Sequence, residues 1–502
     1  MTNENERITR KARIDPKLQA AGWNVVPYDE TRPLSSYHEC AIEEYPTDNG
    51  PADYVLCVDG AIFGVVEAKK VSLGPQNVLT QAERYSRGLS HNPFNFQGFR
   101  APFLYSTNGE VIWFHDVRDP LNRSRQISAF HTPSALRYFL SLHNDDALRR
   151  FFEIPDNPRL RPYQCEACEA VGEAIRNKKR TMLIAMATGT GKTFTIVNLI
   201  YRLMKSGLAK RVLFLVDRRA LAAQAIRAFA SFETEQGLKF DKTYEVYSQR
   251  FQQGDLEEGE TFDVTVMPES YLTNPQPGHA FVYVSTIQRM TINLFGRSSL
   301  FSSCDESPDE DARKLDIPIH AFDVIIADEC HRGYTSAEIS VWRNTLDHFD
   351  ALKIGLTATP ASHTTAYFRD IIYRYEYERA VREGYLVDYD VVAVESGVRL
   401  NGIFLREGEQ VDAIDPETGN RHVDFLEDER EFSSNEIEVN ITSPDSNRKI
   451  LEEIKKYADD HEQRYGRFPK TLIFAEQDVP HISHADQLVE LAREIFGRGD
   501  SF

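Results

Sequence analysis

The chain of 502 residues is 41% apolar and 27% charged, a balance that fits folded domains and excludes disorder throughout. Its formal net charge of -19 excludes a generally basic nucleic-acid coat protein but leaves room for a local DNA groove. Six scattered cysteines make no disulfide framework and fit a reducing compartment, and a chain this long is expected to hold about two to four domains.

The N-terminal stretch MTNENERITRKAR lacks an apolar signal core, and no run approaches the roughly 20 apolar residues needed to span a bilayer, so a cytoplasmic chain with no membrane partner is expected. The first patterned stretch is YVLCVDGAIFGVVEAKK, Tyr54 to Lys70, preceded by Asp53 and carrying Glu67-Ala68-Lys69 near its end. Asp59-Gly60 between two apolar runs predicts a β-hairpin. A two-residue loop pairs Val58 with Ala61 and sets Asp53 opposite Val66, on the other face from Glu67. A three-residue loop, with Gly60 left-handed in a bulge, changes the parity and brings Asp53 to the Glu67 and Lys69 face, one step diagonal to Glu67. A cutting site demands the longer loop, because only then can Asp53 and Glu67 share a Mg²⁺ that activates water and polarises a scissile phosphate. Lys69 would then position the nucleophile or offset phosphate charge. The Glu-x-Lys triplet alone is weak, since Glu453 to Lys455 repeats it on a surface helix. Gln81 and Tyr85, four residues apart in QAERY, would face the same way from a helix. After Asn108-Gly109, Trp113 and Phe114 read as core residues of a hairpin that closes this sheet.

Three prolines within EIPDNPRLRPYQ, Glu153 to Gln164, mark a break, and the first domain is set at residues 1–150. Beyond it come the short apolar runs TMLIAMATGTGKT, VLFLVDRR, FVYVSTIQ, VIIADECH and KIGLTATP, each ending in polar or glycine residues, with helical stretches such as Phe194 to Lys205 between them. Runs this apolar predict strands of a doubly wound parallel sheet that binds ligand at the strand carboxyl ends.

ATGTGKT, Ala187 to Thr193, follows one such strand and opens a helix, the context of a phosphate-binding loop. Thr188, Gly189, Thr190 and Gly191 form the loop, whose glycines let backbone N–H groups converge on phosphate oxygens at the helix N-terminus. Lys192 reaches the β and γ phosphates of ATP, and the Thr193 hydroxyl holds Mg²⁺. Met186 stands where the full pattern has its first glycine. In VIIADECH, Asp328 closes a buried strand and suits water-mediated Mg²⁺ binding, while Glu329 suits orientation of an attacking water.

Two acidic stretches, Cys304 to Asp316 and Arg406 to Phe432, have neither helical nor strand period and read as a surface insertion and an inter-domain excursion. Cys165 and Cys168 have zinc-ligand spacing but no second pair, and read as core thiols. His331 beside the acidic box reads as a coupling or packing residue rather than a base. The final patterned run, TLIFAEQ, reads as one more strand.

These elements, from Gln164 in LRPYQ to Pro360 in LTATP, resemble the helicases and translocases of superfamily two. The resemblance implies that Gln164 reads adenine, that VLFLVDRRALAAQ and VYVSTIQR touch the nucleic-acid backbone, and that Thr357 and Thr359 couple hydrolysis to domain movement. Such motors close two RecA-like lobes on ATP, and here only KTLIFAEQDVPHISHADQLVELAREIFG looks like the start of the second, with no arginine-finger motif after it. The expectation is a fragment that binds ATP and hydrolyses it poorly.

Asp53, Glu-x-Lys and Gln-x-x-x-Tyr together resemble the PD-(D/E)xK nucleases of the RecB-like type, which implies catalysis by Asp53, Glu67, Lys69, Gln81 and Tyr85. A RecB-like nuclease followed by this motor resembles the motor and restriction subunit of type I restriction-modification enzymes, with ADYVLCVDG…GVVEAKK, MATGTGKT and ADECHRGY carrying the likeness. That resemblance implies ATP-driven translocation and Mg²⁺-dependent cutting of double-stranded DNA, in complex with methyltransferase and specificity subunits. The implied fold is α/β: a nuclease domain at 1–150, a first RecA-like lobe at 151–375, a connecting excursion at 376–440, and the start of a second RecA-like lobe at 441–502. Two alternatives stand beside it: a superfamily-two DNA repair helicase with a non-cutting N-terminal domain, and an ATP-responsive scaffold that is not a motor. A type III restriction subunit fits less well, because there the nuclease follows the motor.

Overall fold

The computed structural model describes residues 6–70, 79–142, 144–250, 265–299, 311–330, 336–392, 403–405, 410–414, 421–425, 430–432, 444–475 and 484–497. They fall into two compact units, Met1–Val387 and Asp388–Phe502. No helix among the described residues is long and apolar enough to cross a membrane.

The first unit is mixed α/β and holds two seven-stranded sheets. The N-terminal sheet runs in chain order through β1 (Asn24–Pro27), β2 (Cys40–Tyr45), β3 (Ala52–Val58), β4 (Ala61–Ala68), β5 (Phe103–Thr107), β6 (Ile112–Asp116) and β7 (Arg125–Ile127). β1 with β2 and β4 with β5 are parallel; the other pairs are antiparallel. Helix α1 (Leu79–Arg87) lies against β4 and β5, with Leu79 and Ala82 in the same apolar cluster as Val55, Cys57, Ile62 and Val65. Tyr54, Leu56, Val66 and Ala68 point into the opposite cluster, with Ile14, Leu18 and Trp23 of the N-terminal segment. As expected, Trp113 and Phe114 fall on β6 of the hairpin at Asn108-Gly109, where Phe114 is buried.

The second sheet is parallel throughout, in the order β10-β11-β9-β12-β13-β8-β14. Its strands are β8 (Thr181–Met186), β9 (Arg211–Val216), β10 (Glu245–Ser248), β11 (Phe281–Thr286), β12 (Val324–Asp328), β13 (Leu352–Thr357) and β14 (Ile371–Tyr375). Helices α2 (Pro162–Arg176) and α3 (Lys192–Ser206) flank β8. The near-continuous apolar runs are explained by this burial on two faces: every residue of β9 and β11 is buried. Cys168 is buried on α2 as a core thiol, whereas Cys165 is only half-buried there, and no group of three potential metal-ligating side chains occurs among the described residues.

The two sheets meet at Asp350, just before β13. Its buried carboxylate accepts two bonds from Arg125 of β7 (2.6 and 2.8 Å), one from His131 Nε2 (2.9 Å) and one from Arg180 (3.0 Å). Burial alone would raise its pKa, but Arg125 and Arg180 hold it well below the carboxylate range.

Two readings from sequence change here. The acidic stretch from Arg406 is irregular only in part: Gln410–Ile414 pairs antiparallel with Arg421–Phe425, since QVDAI and RHVDF alternate well enough to form a ladder despite their charge. Thr471 to Ala475 forms no strand, and Leu472 and Phe474 are 78% and 87% exposed. An apolar run becomes a strand only with a neighbour to take its N–H and C=O groups. Gln477, His331 and residues 304–310 of the first acidic stretch lie outside the described residues.

His131 and His320 are buried and His348 half-buried at the junction of the sheets, and desolvation lowers all three pKa values, that of His320 to about 3. Each is neutral in the fold and gains a proton on unfolding once the pH drops below about 6.5, so this stability is complete above that pH and declines below it. Thermal unfolding should therefore move to lower temperature from pH 7 to pH 5. His320→Gln should flatten that decline by up to about 1.4 kcal/mol per pH unit, and an unchanged slope would contradict the assignment.

Candidate active sites

The first site is set by the β3–β4 hairpin. Asp59 (φ +49°) and Gly60 (φ +79°) are both left-handed, as a two-residue type I′ turn requires, and Val58 faces Ala61. A Cβ on Gly60 would lie 2.8 Å from the Ser35 Cα. The expected three-residue loop is therefore absent. The parity changes nonetheless: Cys57 pairs with Ile62, the next pair is Leu56 with Gly64, and Phe63 is an extra residue in β4. Beyond the Tyr54–Val66 pair this register sets Asp53 across from Glu67, directly rather than diagonally, on the side that α1 covers.

Asp53 Oδ2 accepts the Ala68 N–H at 2.7 Å, and Lys69 Nζ stands 2.6 Å from Glu67 Oε1. Glu67 is 2% exposed, a depth at which a carboxylate needs a cation beside it. The helix expected over QAERY forms and closes the group. The Tyr85 pKa is raised by burial first and then by Glu67 and Asp53, while its hydrogen bond with Gln81 and the Lys69 charge act against the rise. Asp53, Glu67, Lys69, Gln81 and Tyr85 thus converge on one place. The donor set is two carboxylates with no histidine or thiol, which suits Mg²⁺, an ion that takes one or two carboxylates and keeps several waters.

Sequence reading missed Arg10. Its guanidinium donates to Asp53 Oδ1 (3.2 Å) and to the Asp53 carbonyl (3.2 Å), and also binds Glu44. Nothing in a charged N-terminal stretch marks one arginine out; only the fold brings it to β3.

The second site lies at the carboxyl end of β8. Gly189 (φ +84°) and Gly191 (φ +79°) are left-handed, and α3 begins at Lys192. Thr188, Gly189 and Gly191 are exposed and Thr193 is half-buried, whereas the Thr190 hydroxyl is spent within the loop on the Ala187 carbonyl at 2.6 Å. Asp328 ends β12 and Glu329 follows it, and Lys192 Nζ lies 3.1 Å from Glu329 Oε1, so the loop and the acidic box meet. Burial and the Glu329 charge raise the Asp328 pKa to about 6, against the Glu329 N–H and Lys192. A crowded acidic pair of this kind, with the Thr193 hydroxyl on the facing loop, fits a hydrated Mg²⁺. Thr357 ends β13, the strand between β12 and β8, and its Oγ1 accepts the Thr359 N–H at 3.2 Å.

Gln164 packs against the loop itself. Its Nε2 donates to the carbonyls of Thr190 (3.0 Å) and Gly191 (3.3 Å), and its Oε1 accepts the Arg161 N–H (2.9 Å). Tyr163 adds its hydroxyl to the Thr190 carbonyl at 2.8 Å and stacks on Tyr375. Of the strand-end elements, Thr286 caps the helix after β11, and Arg289 pairs with Asp311 at 2.8 Å.

A family model described as "Type I restriction enzyme EcoKI endonuclease subunit second domain" matches residues 24–140, and one described as "Type III restriction enzyme, res subunit" matches residues 157–362. The chain is 32% identical to the type I restriction enzyme EcoKI endonuclease subunit of Escherichia coli K12, over 96% of this chain and 43% of that protein. It is 29% identical to the EcoAI endonuclease subunit of Escherichia coli, over 70% of this chain and 38% of that one. It therefore spans less than half the length of these relatives. A solved fragment assigned to an HsdR subunit of a type I restriction enzyme from Vibrio vulnificus YJ016 aligns over 98% of this chain and 75% of its own, at 21% identity and a TM-score of 0.35.

The contacts of Gln164 predict that Gln164→Ala weakens ATP and GTP alike, by about thirtyfold for a lost pair of roughly 1 kcal/mol hydrogen bonds. Fluorescent-nucleotide titration measures both; a loss confined to ATP would instead make Gln164 a reader of the base.

Proposed function

Along nearly its whole length the chain is homologous to the endonuclease subunits of type I restriction enzymes, and from that premise we propose that it cuts double-stranded DNA with Mg²⁺ and moves it with ATP. In this reading, residues 1–150 are a RecB-like PD-(D/E)xK nuclease, 151–375 the first RecA-like lobe, 376–440 a connecting excursion, and 441–502 the start of a second lobe. The observation that carries the nuclease reading is the meeting of Asp53 and Glu67 across β3 and β4, with Lys69 on Glu67 and Gln81 and Tyr85 closing the group. A core hairpin with a merely charged rim has no reason to bury Glu67.

Asp53 and Glu67 would hold the nuclease Mg²⁺, which when bound supplies activation of water and polarisation of the scissile phosphate. Lys69 balances the Glu67 charge and stands ready for a phosphate oxygen or the nucleophile. Gln81 and Tyr85 narrow the approach from the α1 side. On the second sheet, the loop from Thr188 to Gly191 presents backbone N–H groups to phosphates, and Lys192 is drawn between them and Glu329. Thr193 and Asp328 would hold the nucleotide's Mg²⁺, and Glu329 would orient water. Thr357 at the end of the strand between loop and acidic box, and Thr359 just beyond it, are placed to feel the state of both. Methyltransferase and specificity subunits would supply target recognition, and the cytoplasm is the compartment in which such a complex meets DNA.

In the assembled restriction complex, Asp53→Ala or Lys69→Ala should abolish DNA cleavage while ATP turnover persists. Cleavage at the unmodified rate would leave a superfamily-two helicase with a non-cutting first domain. Lys192→Ala should remove DNA-stimulated ATP turnover, and turnover that survives it would take away the motor assignment.

A further inference from the structure

The helical segment that precedes β1 widens at Arg10–Ile14 into a π-helical turn, a feature that often marks a functional position. It lies outside the residues matched by either family model. Ile14, Leu18 and Trp23 anchor it in the core under β3 and β4. Arg10 is thereby carried to the start of β3, where its side chain is only 10% exposed and its guanidinium lies 4.8 Å from the Tyr54 ring centroid.

The fork has three acidic neighbours. One arm bridges Asp53 Oδ1 (3.2 Å) and Glu44; the other takes the Asp53 carbonyl (3.2 Å) and passes 3.6 Å from Glu43. Glu44 holds this pairing from a left-handed backbone (φ +53°), a strained conformation for a residue with a side chain. Asp53 is thus gripped on both oxygens, by the Ala68 N–H on Oδ2 and by Arg10 on Oδ1. A carboxylate offers about four lone-pair sites, so both grips leave room for a cation. Removing Arg10 would release Oδ1 to rotate and leave Asp53 facing the Glu44 charge.

We propose that Arg10 is a positioning residue of the nuclease site, whose two-armed hold keeps the Asp53 carboxylate turned toward Glu67 for a divalent cation. This rests on the nuclease reading above. The planar, two-point grip matters, and a lysine at this position supplies the charge without the fork.

Mn²⁺ uptake by the full chain, followed by electron paramagnetic resonance without nucleotide or DNA, tests the role independently of cleavage. Arg10→Ala should raise the Mn²⁺ concentration for half-saturation of the Asp53-dependent site by at least about tenfold, as loss of a ligand-orienting partner does elsewhere. Arg10→Lys should fall between it and the unaltered protein. Unchanged half-saturation in Arg10→Ala would make Arg10 merely structural, and tighter uptake would make it a competitor of the cation; either overturns the proposal. Should Arg10→Ala fail to give a cooperative thermal transition, Arg10→Lys decides, and wild-type affinity in it overturns the two-point hold. Asp53→Ala separates the layers: if it takes up Mn²⁺ like the unaltered chain, the nuclease reading itself fails. If it loses uptake while Arg10→Ala keeps it, only the role of Arg10 fails.

Discussion

Between the pairs Cys57–Ile62 and Leu56–Gly64, the β3–β4 ladder takes in one residue, Phe63, and the carboxylate end of the hairpin depends on that insertion. Side chains alternate with a period of two, so without the extra residue Glu67 would face away from Asp53 and Lys69 would follow it. The bulge is held by packing. The Phe63 ring is 8% exposed and meets Phe94 edge-on at 5.3 Å, a burial that contributes roughly 1.5–3 kcal/mol. Gly64 beside it leaves little room for a side chain, because a Cβ there would stand 3.0 Å from the Phe103 carbonyl oxygen and 3.1 Å from Leu56. The chemistry of the first sheet thus rests on an apolar ring and a glycine several residues from the acids they align.

The second sheet is coupled to the first through a buried charge. Asp350 precedes β13, the strand that ends in Thr357, and its carboxylate is held by Arg125 and His131 from the first sheet and by Arg180 at the start of β8. The Arg125 and Arg180 cations, with the His131 N–H, offset a desolvation cost of several kcal/mol, so parting the sheets would leave an ion buried without its partners. The strand that lies between the glycine loop and the acidic box therefore begins at the junction with the first sheet and ends beside that loop.

Much of this was legible in the sequence. The parallel sheet could be read because strands buried on both faces have few polar residues to blur the pattern, and the loop could be read because Gly189, Gly191 and Lys192 carry its geometry locally. The hairpin turn was placed correctly at Asp59-Gly60, but its length was not, since a bulge can sit anywhere along a ladder and IFGVV looks like an ordinary strand. Asp53 and Glu67 were grouped for the right parity and the wrong loop. Arg10 stayed hidden, as its partners lie 34 and 43 residues away and no local pattern links them. Gln164 was singled out by its neighbourhood alone, and the fold adds what no local pattern could give, the contacts of its amide with the Thr190 and Gly191 carbonyls. Thr471 to Ala475 looked like a strand because apolar composition says nothing about whether a neighbouring strand exists.

The most direct measurement is the anomalous scattering of crystals of this chain soaked in Mn²⁺. The register described here predicts a peak between the carboxylates of Asp53 and Glu67, at about 2.0–2.4 Å from each, as hard-cation coordination requires. A well-ordered hairpin with Mn²⁺ bound elsewhere in the chain and none between Asp53 and Glu67 would contradict the account.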